Sequence, residues 1–222
     1  MKERGMIFNG EMVRAILDGR KTQTRRIMKV QLSEDFTPMN MALETDYKAR
    51  WYTPGIVDKD GYLQPASKEV FGVSNENEGY SCPFGAVGDR IWVREAFASG
   101  LSTKSTLAYR ATHKREDLED GFYDAIKWTP SIHMLRWASR ITLEITDVRV
   151  ERLNSISQSD AIAEGAPPSH RSIDAVSQHF GYPDFSRSWF GQTWGHIYGE
   201  ESWQANPWVW VIEFKRIEGG AA

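Results

Sequence analysis

The sequence predicts an α+β fold in which short strands form a closed antiparallel or mixed β-barrel, with flanking short helices and large loop insertions. Segments rich in aromatic and β-branched residues recur at short spacing, a pattern typical of sheets. Helical periodicity is confined to a few short segments, whereas a doubly wound α/β sheet needs helices that alternate regularly with strands. A chain of 222 residues suits one barrel with insertions, so we expect a single domain over 1–222.

The first predicted element is a helix that begins after Asn9. Apolar residues from Met12 to Leu17 fall at helical spacing, Asn9 can cap the start, and Gly19 can end the helix. Two later segments, 31–87 and 113–136, are predicted to be loop insertions. In the first of them, proline, glycine and isolated aromatics are scattered without a sustained period.

The remaining elements are four strands and two helices. One strand region alternates apolar and polar residues over two strand lengths, so Ile141, Leu143 and Ile145 are expected to face the core. Helices are predicted at 157–165, which has a capping hydroxyl and a terminal glycine, and at 185–198. The strands are predicted at Ile91–Phe97, Leu107–Ala111, Ala138–Leu153 and, as the central strand, Pro207–Ile217.

Composition excludes several classes of protein. A formal net charge of −3 gives no chain-wide basic field, so any contact with nucleic acid must be local. The single cysteine, Cys82, cannot form an intramolecular disulfide, and no Cys or His spacing resembles a zinc site. The first residues lack the apolar run that is typical of a signal peptide, and no apolar run of about 18 residues occurs in the sequence. We therefore expect a cytoplasmic protein without metal, cofactor or membrane contact.

The most informative segment follows the first helix. Residues 19–26 contain four cations and two hydroxyl side chains. One interpretation is a solvated surface turn. The other is a cleft in which Arg20, Arg25 and Arg26 make forked contacts to phosphate or carboxylate. In such a cleft a partly desolvated Lys21 loses its proton more readily and can take one from the Thr24 hydroxyl, which can then attack an acyl group.

A second group of candidate binding residues lies later in the chain. Trp92 and Arg94 alternate on one predicted strand, so they share a face on which Trp92 can stack a base and Arg94 can meet a phosphate. His133 lies in a polar and aromatic loop, where an imidazole can serve acid and base chemistry near neutral pH. Core packing of Trp92 and a structural hydrogen bond of His133 are the alternatives.

Several sequence blocks together resemble a known family. Gly19–Arg25 looks like the N-terminal signature of the ASCH domain family, relatives of the PUA-like RNA-binding barrels. Gly88–Val93 looks like its G-D turn and following strand, Ala161–Gly165 like its helix ending in A-x-x-E-G, and Pro207–Ile217 like its closing strand. Through Trp128–Met134 the chain is similar to a long subgroup carried by bacteriophages and prophages. The resemblance does not cover the two predicted insertions.

The resemblance implies a PUA-like barrel and a site for RNA or a modified nucleoside. Some short members of the family are amidohydrolases that remove the acetyl group from 4-acetylcytidine with a lysine, a threonine and a glutamate. By motif these are Lys21 as the base, Thr24 as the nucleophile, and Glu164, which positions the lysine or passes a proton to the departing amine. Other members bind RNA or resemble ribonucleases, so a non-catalytic phage RNA-binding module and a ribonuclease are the alternatives.

Overall fold

The computed structural model of the chain describes residues 1–100, 107–114 and 126–217. Twelve strands and five α-helices lie in these ranges. In chain order they are β1 (Glu3–Ile7), α1 (Gly10–Leu17), β2 (Gln23–Ile27), β3 (Arg50–Tyr52), β4 (Gly55–Val57), β5 (Leu63–Pro65), β6 (Val70–Ser74), β7 (Gly79–Ser81), β8 (Arg90–Arg94), β9 (Phe97–Ser99), β10 (Leu107–Tyr109), β11 (Thr142–Arg152), α2 (Gln158–Ala163), α3 (Arg171–His179), α4 (Phe185–Tyr198), α5 (Glu200–Gln204) and β12 (Trp208–Ile217). The fold is therefore α+β, as the sequence predicts.

A five-stranded sheet in the order β1-β8-β11-β12-β2 organises the molecule. Its strands are antiparallel except for β1 and β8, which run parallel. The predicted closed barrel is not formed by backbone pairing among the described residues, because β1 and β2 each pair on one side only. A side chain joins these two edges instead: the Arg26 guanidinium donates to the Ile7 carbonyl at 2.8 Å. The sheet is thus curled enough to bring its edges within reach of one arginine.

The central strand β12 is apolar along most of its length because both of its faces are buried. Trp210 and Ile212 enter the main core with Ile145, and Val209 and Val211 enter a second core beneath the helices. The expected core positions Ile141, Leu143 and Ile145 are 2%, 0% and 1% exposed, which confirms them. The predicted central position of this strand is also confirmed, since it lies between β11 and β2.

Helices α1 and α2 begin and end at the residues that the sequence indicates. The Asn9 side chain accepts from the Met12 amide and caps α1. The Ser157 hydroxyl accepts from the Asp160 amide and caps α2. Gly165, with φ of +104°, ends the turn after α2, a left-handed conformation that favours glycine. Helix α4 has the predicted bounds, while the sequence patterns did not predict α3 and α5.

The segment 31–87 is more ordered than the predicted loop insertion. It contains a three-stranded sheet in the order β3-β6-β7 and the separate hairpin β4-β5. Phe71 and Val73 of β6 are buried in the main core, so this segment packs on the central sheet. In the second predicted insertion, 113–136, residues 115–125 lie outside the described residues. None of the helices in the described ranges has the length and apolarity needed to span a lipid bilayer.

Candidate functional site

The cationic segment after α1 leads into strand β2, and part of it is buried rather than solvated. Lys21, Gln23 and Arg25 alternate along its start, which places their side chains on one face of β2. They are 2%, 1% and 2% exposed. Hydrogen bonds tie the start of this segment to the end of α2, since the Thr22 amide donates to the Ala163 carbonyl at 2.8 Å. A row of buried polar side chains therefore lies beneath α2.

The structure brings Lys21 and Glu164 together, although they are 143 positions apart in the chain. The lysine Nζ donates to Glu164 Oε2 at 2.6 Å and to the Glu164 backbone carbonyl at 2.9 Å. Their side chains are 0% and 4% exposed. Burial lowers the pKa of Lys21, an effect that the nearby Glu164 carboxylate opposes but does not cancel. Gly165 follows Glu164 in a left-handed conformation, and a Cβ there would lie 3.1 Å from Ala15 Cβ of α1, so glycine suits this close contact.

Arg25 belongs to a closed ring of alternating charges. Its Nη2 is 2.7 Å from Glu151 Oε2 and 3.4 Å from Asp160 Oδ2. Arg149 completes the ring, with Nε 2.5 Å from Glu151 Oε1 and Nη2 3.0 Å from Asp160 Oδ1. The other end of the guanidinium faces the catalytic candidate, with Arg25 Nη1 3.5 Å from Glu164 Oε1. The carboxylates of Glu151 and Asp160 thus bind Arg25, which also faces the carboxylate of Glu164.

The ring also fixes α2, the helix whose end carries Glu164. Burial would raise the pKa of Asp160, but the Ser157 hydrogen bond and the charges of Arg25 and Arg149 outweigh burial and lower it. The carboxylate therefore stays ionised and binds both arginines. Removing one member of such a buried network leaves an uncompensated charge, which costs about 3–5 kcal/mol of stability.

An open groove reaches Glu164 of the buried pair. It has a volume of about 330 Å³, lies between α1, the end of α2 and α4, and is lined by Arg14, Arg20, Trp189 and Glu164 among others. A cavity of about 20 Å³ is lined by Thr24, Arg25 and Glu164. The two spaces share a wall, formed by Met12, Glu164 and Thr193.

The other predicted residues of the cationic segment occupy different positions around this groove. Arg20 lines the groove and donates to the Gly165 carbonyl at 2.8 Å. Arg26 lines the small cavity and stacks over the Phe8 ring at 5.3 Å. Thr24 lines the same cavity and is 2% exposed. Among the described residues, the Lys21 amine donates to one carboxylate oxygen and to the backbone carbonyl of Glu164. It does not donate to the Thr24 hydroxyl.

Trp92, Arg94 and His133 form a second group, away from the ion pair. Arg94 stacks on Trp92 at 5.5 Å and donates to the carbonyls of Ser131 and Ile132, in the turn that contains His133. Gly5 makes room for this arrangement, because a Cβ there would lie 2.6 Å from Trp92 Cζ2. Within the described part of the chain, no hydrogen bond or ion pair connects the three predicted residues to the Lys21 cluster.

Sequence patterns missed several residues of the site. Arg149 and Glu151 occupy alternate positions of β11, a pattern typical of a solvated strand face, yet here that face packs against β2 and α2. Asp160 precedes Glu164 by one helical turn. That spacing was the one signal in the sequence that the two carboxylates lie on the same side of α2. Trp189 in the groove wall has the same periodicity as the buried aromatics of α4, so the sequence does not distinguish its role.

Comparisons of this chain with family models, with curated proteins and with solved structures find no match. Within 1–100, 107–114 and 126–217, no group of three or more His, Cys, Asp or Glu side chains is arranged to hold a metal ion. The inference of function therefore depends on the groove, its charges and the sequence blocks.

Proposed function

We propose that this chain is an ASCH-type, PUA-like domain whose groove binds a nucleotide of RNA or a modified nucleoside, and that it hydrolyses an acyl amide such as that of 4-acetylcytidine. The observation that carries the proposal is the buried Lys21 and Glu164 pair at the inner end of an open groove. Fully buried ionisable side chains with a perturbed pKa cluster at functional sites, because burying them has a cost that packing alone does not repay.

The groove has the chemistry that a nucleotide needs. The Trp189 ring offers a surface on which a base can stack, and Arg14 and Arg20 can pair with phosphate. Glu164 lines the inner end, where an exocyclic amide of the base would arrive. In the proposed reaction Lys21 and Glu164 exchange protons with the attacking group and the departing amine. The curled sheet, whose edges Arg26 joins, is the counterpart of the barrel in this proposal.

A non-catalytic RNA-binding module is the second candidate, and one observation favours it. The Lys21 amine and Glu164 carboxylate are already paired at 2.6 Å and almost inaccessible to water. Such a pair can be a structural element of the groove floor. In that case Arg20, whose side chain is 39% exposed at the groove, contributes to phosphate binding without chemistry. The ribonuclease alternative has no observation in its favour among the described residues.

Incubation of the purified protein with 4-acetylcytidine tests the proposal, with loss of the acetyl group followed by chromatography. We expect turnover that Lys21→Met lowers by about 10²–10⁴-fold, the usual contribution of a proton-transfer group. Lys29→Met is the matched control, since Lys29 is exposed and lies just after β2 while Lys21 lies just before it, and it should leave turnover unchanged.

Absence of turnover by the wild-type protein would reject the hydrolase. The binding module is then tested by titrating single-stranded RNA at increasing salt. We expect affinity to fall steeply with salt, and Arg20→Ala to reduce the slope by about one counterion. RNA binding without turnover would therefore support the second candidate, and the lack of both would contradict the proposed class of ligand.

A further inference from the structure

Two residues that line the small cavity, Arg25 and Glu164, carry buried polar atoms that lack hydrogen-bond partners. Glu164 Oε1, Arg25 Nη1 and Arg25 Nε have none among the described residues, although their side chains are 4% and 0% exposed. Orphaned polar atoms at such depth are rare in proteins, because each costs about 1–3 kcal/mol when it stays unpaired. Arg25 and Glu164 both line the cavity, so these atoms without hydrogen-bond partners indicate that a further polar group binds beside them.

The size of the cavity limits what this group is. A volume of about 20 Å³ exceeds the roughly 10–15 Å³ that one water molecule needs, but is far too small for a nucleobase. The 3.5 Å between Arg25 Nη1 and Glu164 Oε1 allows one oxygen atom to contact both. The cavity also adjoins the groove through its shared wall of Met12, Glu164 and Thr193. A single water molecule fits these constraints.

We propose that Glu164 and Arg25 hold one water molecule in this cavity, and that this water, rather than the Thr24 hydroxyl, attacks the acyl group of the substrate. The inference rests on the proposed hydrolase function. It is also consistent with the contacts of Lys21, which donates to Glu164 and not to Thr24. In this account Thr24 serves as part of the cavity wall.

The proposed step balances without any further reactant. Glu164 Oε1 takes one proton from the water, and the water oxygen forms a bond to the acyl carbon, whose π electrons move to the carbonyl oxygen. When that intermediate collapses, the carbon–nitrogen bond breaks with its electron pair going to nitrogen. The nitrogen then receives the proton that Glu164 had taken. The products are one carboxylic acid and one free amine, and no acyl group is ever attached to the protein.

The test uses the full chain and 4-acetylcytidine. Wild-type reactions are stopped with acid early in turnover and examined by mass spectrometry for an acetyl group on the peptide that contains Thr24. Turnover is measured in parallel for Thr24→Val, which keeps the volume of the side chain, and for Glu164→Gln. We expect no acetylated peptide, a loss of about 10²–10⁴-fold for Glu164→Gln, and a much smaller loss for Thr24→Val.

Two results would overturn the water mechanism: an acetylated Thr24 peptide from the wild type, or a loss in Thr24→Val as large as that in Glu164→Gln. An acetylated wild-type peptide would decide against the water mechanism whether or not any variant folds. If wild type shows no turnover at all, the hydrolase function itself fails, and the proposed role of the water fails with it. The two failures are distinguishable, because a failure of the water mechanism alone is seen only when the wild type shows turnover.

Discussion

Lys21 is the residue on which the proposed chemistry of the site depends. A lysine that is fully buried must either be paired or lose its proton, because the interior of a protein solvates an ammonium poorly. Here Glu164 pairs with it at 2.6 Å, and yet burial still lowers the pKa of Lys21. Lys21 therefore holds its proton less firmly than a lysine in water does. Proton transfer to a substrate requires a proton that is held in this way.

The lowered pKa of Lys21 predicts how stability depends on pH. In the interval between its lowered pKa and the ordinary value of about 10.4, the unfolded chain binds more protons than the folded protein, so stability rises with pH. We expect the free energy of unfolding of the wild type, minus that of Lys21→Met, to increase as pH approaches about 10.4. Urea unfolding of both proteins across this range measures the difference and cancels the titration of the tyrosines.

A difference that stays constant or falls with pH would contradict this environment for Lys21. A falling difference in particular would mean that Glu164 outweighs burial, so that the pKa of Lys21 is raised in the folded protein. The ion pair would then hold its proton firmly and act as a structural contact.

Among the elements, α4 forms one wall of the groove and depends on a glycine for its position. A Cβ at Gly191 would lie 3.1 Å from Tyr182 Cε1 and 3.2 Å from the Trp203 ring, so these aromatic rings pack directly on the helix backbone. The opposite wall residues, Trp189 and Thr193, then face the groove. The packing of Tyr182 and Trp203 on the other side of α4 therefore determines how close the helix lies to the groove.

The two glycines of α4 provide a matched pair for this claim. Gly191→Ala introduces a methyl group against two rigid rings, and we expect it to lower the free energy of unfolding by about 1–3 kcal/mol. At Gly195 the nearest atom is Glu200 Cγ at 3.7 Å, an ordinary contact. Gly195→Ala should therefore raise stability by about 0.5–1 kcal/mol through the helix preference of alanine. Urea denaturation compares them, and equal stability of the two variants would contradict the packing described.

The elements that the sequence predicted best are those with local signals. The capping residues Asn9 and Ser157 fix the starts of α1 and α2, and the unbroken apolar run of β12 identifies a strand buried on both faces. Strand β2 was missed because its three buried residues are polar, and burial in a charge network leaves no periodic apolar signal. The strands within 31–87 are short, so they lack the length over which alternation is visible.

At the scale of the whole molecule, the site is made by long-range pairing. β2 at the edge of the sheet and the end of α2 meet through Lys21 and Glu164, and β11 contributes Glu151 and Arg149 to the ring behind them. The sequence blocks predicted that the lysine and the glutamate share one site. They did not predict the ring of charges. The sequence around β11 does not show whether a carboxylate there is solvated or binds an arginine of another strand.

The two predicted groups of binding residues occupy different parts of the molecule. Trp92 and Arg94 lie on β8, whereas the groove lies between α1, the end of α2 and α4. We therefore assign substrate binding to the groove alone, and expect the Trp92 surface to have no part in holding the reacting base.

The most direct test of the central claim is a crystal structure of the Glu164→Gln variant with 4-acetylcytidine bound. The account predicts that the base lies against Trp189 and that the acyl amide is within hydrogen-bonding distance of the side chain at position 164. A nucleoside bound on the Trp92 and Arg94 surface instead, with its amide away from Lys21, would contradict it.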